Sequence, residues 1–137
     1  MENQFHISLP CLHIAATEKF YTKIIGATKG RSALNWVDIN LFGHQITFTK
    51  SGRFNFEYPS YSFDQTVLPS FHFGVILPLQ KWSELYTEWK KEDFLHIDKT
   101  IFLSGKKGAH QSFFLRDPNG YIIEFKCFNE ANEVFEK

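Results

Sequence analysis

Two histidines and one carboxylate lie on strand-like stretches in a pattern that suits a metal ion. His6 stands in FHISL (5–9), His72 in SFHFGVIL (70–77) and Glu124 in GYIIEFK (120–126). Side chains alternate across a strand. His6 therefore shares a face with Ser8, away from Phe5, Ile7 and Leu9. His72 shares one with Gly74 and Ile76, away from Phe71, Phe73, Val75 and Leu77. Glu124 shares one with Ile122 and Lys126, away from Tyr121, Ile123, Phe125 and Cys127. Gln45, in HQITFTK (44–50), opposes His44, Ile46 and Phe48. Each strand thus has an apolar face for helices to cover. The opposite faces collect His6, His72, Glu124 and Gln45, which converge if the sheet curls.

Two neutral imidazole nitrogens and one anionic oxygen can hold Fe, Mn, Zn, Ni or Co and leave coordination positions open. A carboxylate on an otherwise apolar strand costs free energy unless it is paired or ligates a cation. A plainer reading of the same residues stands beside this one. Glu124 can pair with Lys126 on its own face or meet water, and each histidine can be an ordinary hydrogen-bonded residue. No local His-Glu-x-x-His motif decides between them. Among the remaining histidines, His13, His96 and His110 read as surface residues, and His44 as a buried one with a hydrogen bond. Arg31, in KGRS, and Trp36 are candidates for contact with substrate, Arg31 through an anionic group or else as a plain surface arginine. Arg116 reads as part of the turn before Asp117.

The elements that must position these groups fall into two similar halves. FHISL, LNWVDI and HQITFTK read as strands, with an amphipathic helix over HIAATEKFYTKIIG (13–26) closed by Gly26. Its start is expected inside the segment, at Thr17–Glu18. The second half repeats this order with SFHFGVIL, a helix over 79–94 carrying Trp82, Leu85, Tyr86 and Trp89, and strands over 110–116 and 121–128. A further short strand in each half is expected near Thr28–Ser32 and Lys99–Leu103. His6 and Tyr21 are 15 residues apart and His72 and Tyr86 are 14 apart. DINLFGHQ and DPNGYIIE share an Asn two residues and a polar residue seven residues after the Asp but not the position of the glycine, so they either set Gln45 against Glu124 or coincide by chance. The expected order is module one at about 5–50, a linker or lid at 51–70, module two at 71–128 and a fraying polar tail at 129–137. The 51–70 stretch shows no steady period, although its Phe54, Phe56, Tyr58, Tyr61 and Phe63 can stack on a ligand.

Composition narrows the partners. The chain has 137 residues, enough for one domain with a real core, and 16 of them are Phe. Fifteen basic residues balance fifteen acidic ones, which gives no electrostatic case for nucleic acid or a membrane surface. No apolar run reaches the length of a membrane span. MENQFHISLP lacks the basic-then-apolar order of a signal peptide, and two cysteines make no disulfide framework, so a cytoplasmic protein with reduced thiols is expected. A small-molecule substrate is the expected partner.

FHISLP with KFYTKIIGATKGR, then HFGVIL, then FFLRDPNGYIIEFK make the chain resemble the vicinal-oxygen-chelate superfamily over about 5–128. This superfamily includes glyoxalases, fosfomycin-resistance enzymes, extradiol dioxygenases and bleomycin-resistance proteins. The resemblance implies an α+β fold in which two βαβββ modules form an open, cup-shaped mixed sheet with helices outside. It implies metal ligands at His6, His72 and Glu124, with Gln45 at the fourth position, where glutamate is usual in glyoxalase I-like members. It further implies a divalent-metal-dependent lyase or isomerase of glyoxalase-related type, often dimeric, with Glu124 also able to act as general base. The alternatives are an extradiol-type Fe(II) dioxygenase and a metal-free, bleomycin-resistance-like protein that binds an aromatic drug.

Overall fold

A computed structural model describes residues 2–55 and 57–137 of the chain. Phe56, one of the aromatic residues expected to stack on a ligand, lies outside the described residues. The chain divides into two compact units, Met1–Phe56 with Asp117–Gly120, and Glu57–Arg116 with Tyr121–Lys137.

Unit one contains strands β1 (His6–Cys11), β2 (Thr28–Ala33), β3 (Trp36–Leu41) and β4 (His44–Lys50) in the order β1-β4-β3-β2. β1 runs parallel to β4, and the other neighbours are antiparallel. The parallel pair needs a crossover, which helix α1 (Ile14–Lys19) and a π-helical turn (Phe20–Ile24) supply. The core face carries Leu9, Val37, Ile39, Ile46 and Phe48, all buried together with Phe20 and Tyr21 of the crossover. The expected helix over 13–26 is thus shorter as an α-helix and begins at Ile14, ahead of Thr17. Thr17 does not cap it: the hydroxyl is buried and donates back to the His13 carbonyl at 2.7 Å. The DPNG turn belongs to this unit and is held by its own aspartate. Asp117 accepts from the Tyr21 hydroxyl at 2.9 Å and from the Asn119 backbone N–H at 2.8 Å.

Unit two repeats the pattern with β7 (Phe73–Ile76), β8 (Leu95–Phe102), β9 (His110–Arg116) and β10 (Ile122–Phe128), in the order β7-β10-β9-β8. Here β7 is parallel to β10, and α2 (Leu79–Trp89) makes the crossover. Trp82, Leu85 and Trp89 fall three and four residues apart, so α2 buries one stripe. That stripe meets Phe113 and Phe125, whose rings stack at 5.2 Å and 7°. The Trp82 indole N–H donates to the Phe125 carbonyl at 2.8 Å, which fixes α2 on β10. Both short strands expected from the sequence are present, as β2 and β8.

Three segments differ from the sequence reading. The strand expected over 70–77 begins only at Phe73, so His72 sits just ahead of it. The tail does not simply fray: Ala131–Phe135 forms a 3-10 helix, and Glu133 accepts from the Gly108 backbone N–H at 2.7 Å. The 51–70 stretch holds a hairpin, β5 (Ser60–Phe63) and β6 (Thr66–Pro69). Its turn residues Asp64 and Gln65 adopt φ of 47° and 69°. Such turns normally announce themselves by Asn-Gly or Asp-Gly, and neither occurs here. The Asp64 carboxylate replaces that signal by accepting from the Leu103 N–H at 2.6 Å.

Candidate functional site

Glu124 sits in the middle of β10, opposite Gly74 on one side and Phe114 on the other. It is only 8% exposed, and three groups surround its carboxylate. The Ser112 hydroxyl donates to Oε2 at 2.6 Å. Lys126 Nζ lies 3.7 Å from Oε2, and His72 Nε2 lies 3.2 Å from Oε1. Gly74 is required at its position because a Cβ there would collide with the Glu124 backbone.

The tautomer of His72 follows from its other nitrogen. Nδ1 lies 2.9 Å from the Pro69 carbonyl, which can only accept, so Nδ1 carries hydrogen. In the neutral ring, Nε2 is then a lone pair facing a carboxylate oxygen. Two acceptors at 3.2 Å need either a proton or a cation between them. The hydrogen bond that Glu124 accepts from protonated His72 raises the His72 pKa above its ordinary 6.5, against the opposing effect of burial. For Glu124 the largest single influence is burial, which pushes the pKa up. The bonds from His72 and Ser112 and the charge of Lys126 together outweigh it, and the carboxyl ends below its ordinary 4.5.

These shifts set a pH dependence. The raised His72 contributes stability that is full below its ordinary pKa and is lost as pH climbs through the folded value. The lowered Glu124 contributes stability that is present above its ordinary pKa and is lost as pH falls through the folded one. Metal-free protein is therefore expected to melt highest between those two ordinary values and to lose stability on the neutral side. His72→Gln should flatten that neutral-side fall. Thermal melts in chelator between about pH 5 and pH 8 check this, and an unchanged slope in the variant would count against the pair.

Unit one gathers a second polar group. His6 pairs with Gln45 across β1 and β4, and Gln45 pairs with Asn40 across β4 and β3. Gln45 Nε2 lies 3.1 Å from Asp38 Oδ2, while the Thr47 hydroxyl donates to Asp38 Oδ1 at 2.7 Å. A carboxylate only accepts, so the Gln45 amide turns its nitrogen to Asp38, and its carbonyl oxygen is the remaining acceptor. His6, Arg31, Asp38 and Gln45 line a cavity of about 450 Å³. The Arg31 guanidinium is 82% exposed, 3.6 Å from Asp38 and 5.9 Å from the centre of the Trp36 ring.

The sequence-based site residues are thus distributed as His72 and Glu124 in unit two, and His6, Gln45, Arg31 and Trp36 in unit one. Within either unit, no three His, Cys, Asp or Glu side chains among the described residues gather as a metal-holding group. The pairing of Glu124 with Lys126 exists, but alongside His72 and Ser112 rather than alone. Asp38 was missed, although alternation in WVDINL puts it on the face of Trp36 and Asn40, away from the buried Val37, Ile39 and Leu41. His110 is a correction: it was read as a surface residue and is 6% exposed. His44 is another, being exposed, with Nδ1 accepting from the Phe5 N–H at 3.0 Å.

Solved structures share this architecture. A "glyoxalase/bleomycin resistance protein/dioxygenase" from Alicyclobacillus acidocaldarius aligns with a TM-score of 0.81 at 24% identity, covering 97% of this chain and 96% of that one. The fosfomycin resistance protein FosX of Listeria monocytogenes aligns at 0.66 and 16% identity, over 97% and 98% of the two chains. A "possible glyoxalase" from Bacillus cereus aligns at 0.61 and 17%, over 93% and 100%. No protein-family model matches the chain, and no curated protein sequence does. Two βαβββ modules with mixed four-stranded sheets define the vicinal-oxygen-chelate fold, and this chain has that fold. No helix among the described residues is long and apolar enough to cross a membrane.

Proposed function

We propose that the chain is a divalent-metal-dependent enzyme whose small-molecule substrate presents neighbouring oxygens to the metal. The reaction is a lyase or isomerase step of glyoxalase-related type. His6, His72 and Glu124 are the ligands in this reading, and Gln45 touches the metal or the substrate. The observation that carries it is the facing of His72 Nε2 and Glu124 Oε1 at 3.2 Å, with Nδ1 tied to the Pro69 carbonyl. Metal-binding histidines use their second nitrogen in this way. A bound divalent ion would act as a Lewis acid that polarises the substrate oxygens and steadies their negative charge.

The chain's own groups divide the remaining work. Ser112 and Lys126 hold Glu124 Oε2, which leaves Oε1 for a ligand or for a proton taken from substrate. Asp38 orients the Gln45 amide so that its oxygen is the donor atom. Arg31 is the candidate partner for an anionic substrate group, beside Trp36. A cytoplasmic homodimer completes the proposal.

An extradiol-type Fe(II) dioxygenase is the second reading, favoured by the same two-histidine, one-carboxylate set. A metal-free protein that binds an aromatic drug is the third, favoured by Tyr61 and Phe63 beside Glu124 in one cavity. Chelated protein should be reloaded with Fe, Mn, Zn, Ni or Co separately and assayed on α-hydroxycarbonyl compounds, and on catechols after anaerobic Fe(II) loading. Metal-dependent turnover without oxygen uptake supports the lead reading. Oxygen uptake with catechols replaces it by the dioxygenase. Tight binding of an aromatic drug to metal-free protein, with no turnover under any metal, replaces it by the third.

A further inference from the structure

The β5–β6 hairpin is a fixed roof over the Glu124 face of unit two. Leu68 is buried in one cluster with Phe102, Phe114 and Ile122, and Phe63 packs against that cluster. The left-handed turn at Asp64 and Gln65 is held by the bond to Leu103 N–H. Beneath the roof is a cavity of about 160 Å³, lined by Tyr61, Phe63, Phe102 and His110 as well as by His72, Glu124 and Lys126. An apolar cavity of about 150 Å³ accommodates one benzene ring.

His110 is built into this wall with care for its orientation. It is the middle residue of a row across three strands, Phe102, His110 and Phe128. Its ring packs on Phe102 at 5.2 Å and on Phe128 at 5.0 Å, with Phe63 at 6.4 Å. Nδ1 lies 2.8 Å from the Gly108 carbonyl and so carries the hydrogen, which makes Nε2 an acceptor. No buried side-chain nitrogen or oxygen among the described residues lacks a partner, and Nε2 has no hydrogen-bond partner among those residues, so it opens onto accessible space. The rung of His110 lies four residues along β10 from Glu124, or about 13 Å. That separation leaves room for one ring with a hydrogen bond at each end.

We propose that this cavity is the slot for a single planar ring, and that His110 Nε2 selects a ligand carrying a hydrogen-bond donor on the end away from Glu124. The assignment deepens the reading of the Glu124 face as the substrate site and rests on it. His110 is a positioning residue here, and Tyr61 and Phe63 set the thickness of the slot.

The test uses the chelator-treated 137-residue chain, so that binding in the slot is scored independently of metal. Phenol, anisole and cyclohexanol are titrated and followed by amide NMR. Phenol should bind about tenfold more tightly than anisole, which lacks the donor, and than cyclohexanol, which lacks the flat ring. Shifts should map to 61–68 and His110. In His110→Phe the preference for phenol over anisole should vanish while ring binding persists, and His110→Gln, which keeps an acceptor, should retain part of it. Equal binding of phenol and anisole by the wild-type protein overturns the proposal, as do equal binding of cyclohexanol and shifts elsewhere. These three results need no variant to fold. A preference for phenol that survives in folded His110→Phe overturns the role of His110. Metal content of the same samples reports on the metal reading separately, so either can fail alone.

Discussion

Glu124→Gln protein should fold, melt somewhat below the wild type at neutral pH and hold no more than a trace of metal. The substitution keeps the shape of the side chain and removes its charge. The Ser112 hydroxyl can still donate to the amide oxygen from 2.6 Å. Lys126 loses an ionic partner but is 28% exposed, so water replaces that contact at small cost. His72 loses the bond that raises its pKa, and the Nδ1 tie to Pro69 remains. What does not survive is the anionic donor. Losing even an outer partner of a metal ligand costs roughly 10–100-fold in affinity or activity. With Glu124 as a ligand, as proposed, its loss should exceed about a hundredfold in metal-dependent turnover. Calorimetric metal titration and turnover, measured beside circular dichroism, check this. Wild-type metal affinity in the folded variant would remove Glu124 from the ligand set.

The largest expected effect on stability belongs to Phe113→Ala. Phe113 is fully buried and stands between the sheet and α2. Its ring lies 5.2 Å from Phe125, 5.3 Å from Trp82, 5.5 Å from Tyr86 and 6.1 Å from Trp89. Four aromatic neighbours cannot close the gap that the ring leaves, because α2 is tied to β10 by the Trp82–Phe125 bond. The cost should be about 3–5 kcal/mol, a large part of the stability of an ordinary domain. Denaturant unfolding should show this loss, with a melting temperature lower by roughly 10 °C or more. A loss under about 1 kcal/mol would mean that the aromatic cluster repacks freely.

The fold was legible because the signals that set it are local and repeated. Alternation in FHISL, HQITFTK and YIIEFK assigned the correct faces, and the register confirms that Gln45 stands beside His6 and Glu124 beside Gly74. The Trp82, Leu85 and Trp89 stripe gave α2 for the same reason. What escaped depends on pairing across distance. The hairpin was hidden because its left-handed turn is held by Leu103, 39 residues away, rather than by a glycine. His110 looked exposed because nothing in the sequence tells that Phe102 and Phe128 flank it. Asp38 went unread because its partners Gln45 and Thr47 lie on the next strand. The beginning of β7 was placed too early because the alternation of Phe71, Phe73, Val75 and Leu77 continues ahead of the residue where pairing with β10 begins. The bond from His72 to Pro69, which ends the hairpin, is invisible to periodicity.

The metal assignment is tested most directly by elemental analysis of wild-type protein made without added metals, then chelated and reloaded. About one Fe, Mn, Zn, Ni or Co per chain is expected, lost on chelation, regained on reloading and missing in His72→Ala. Protein that is pure, folded and metal-free both before and after reloading would contradict it.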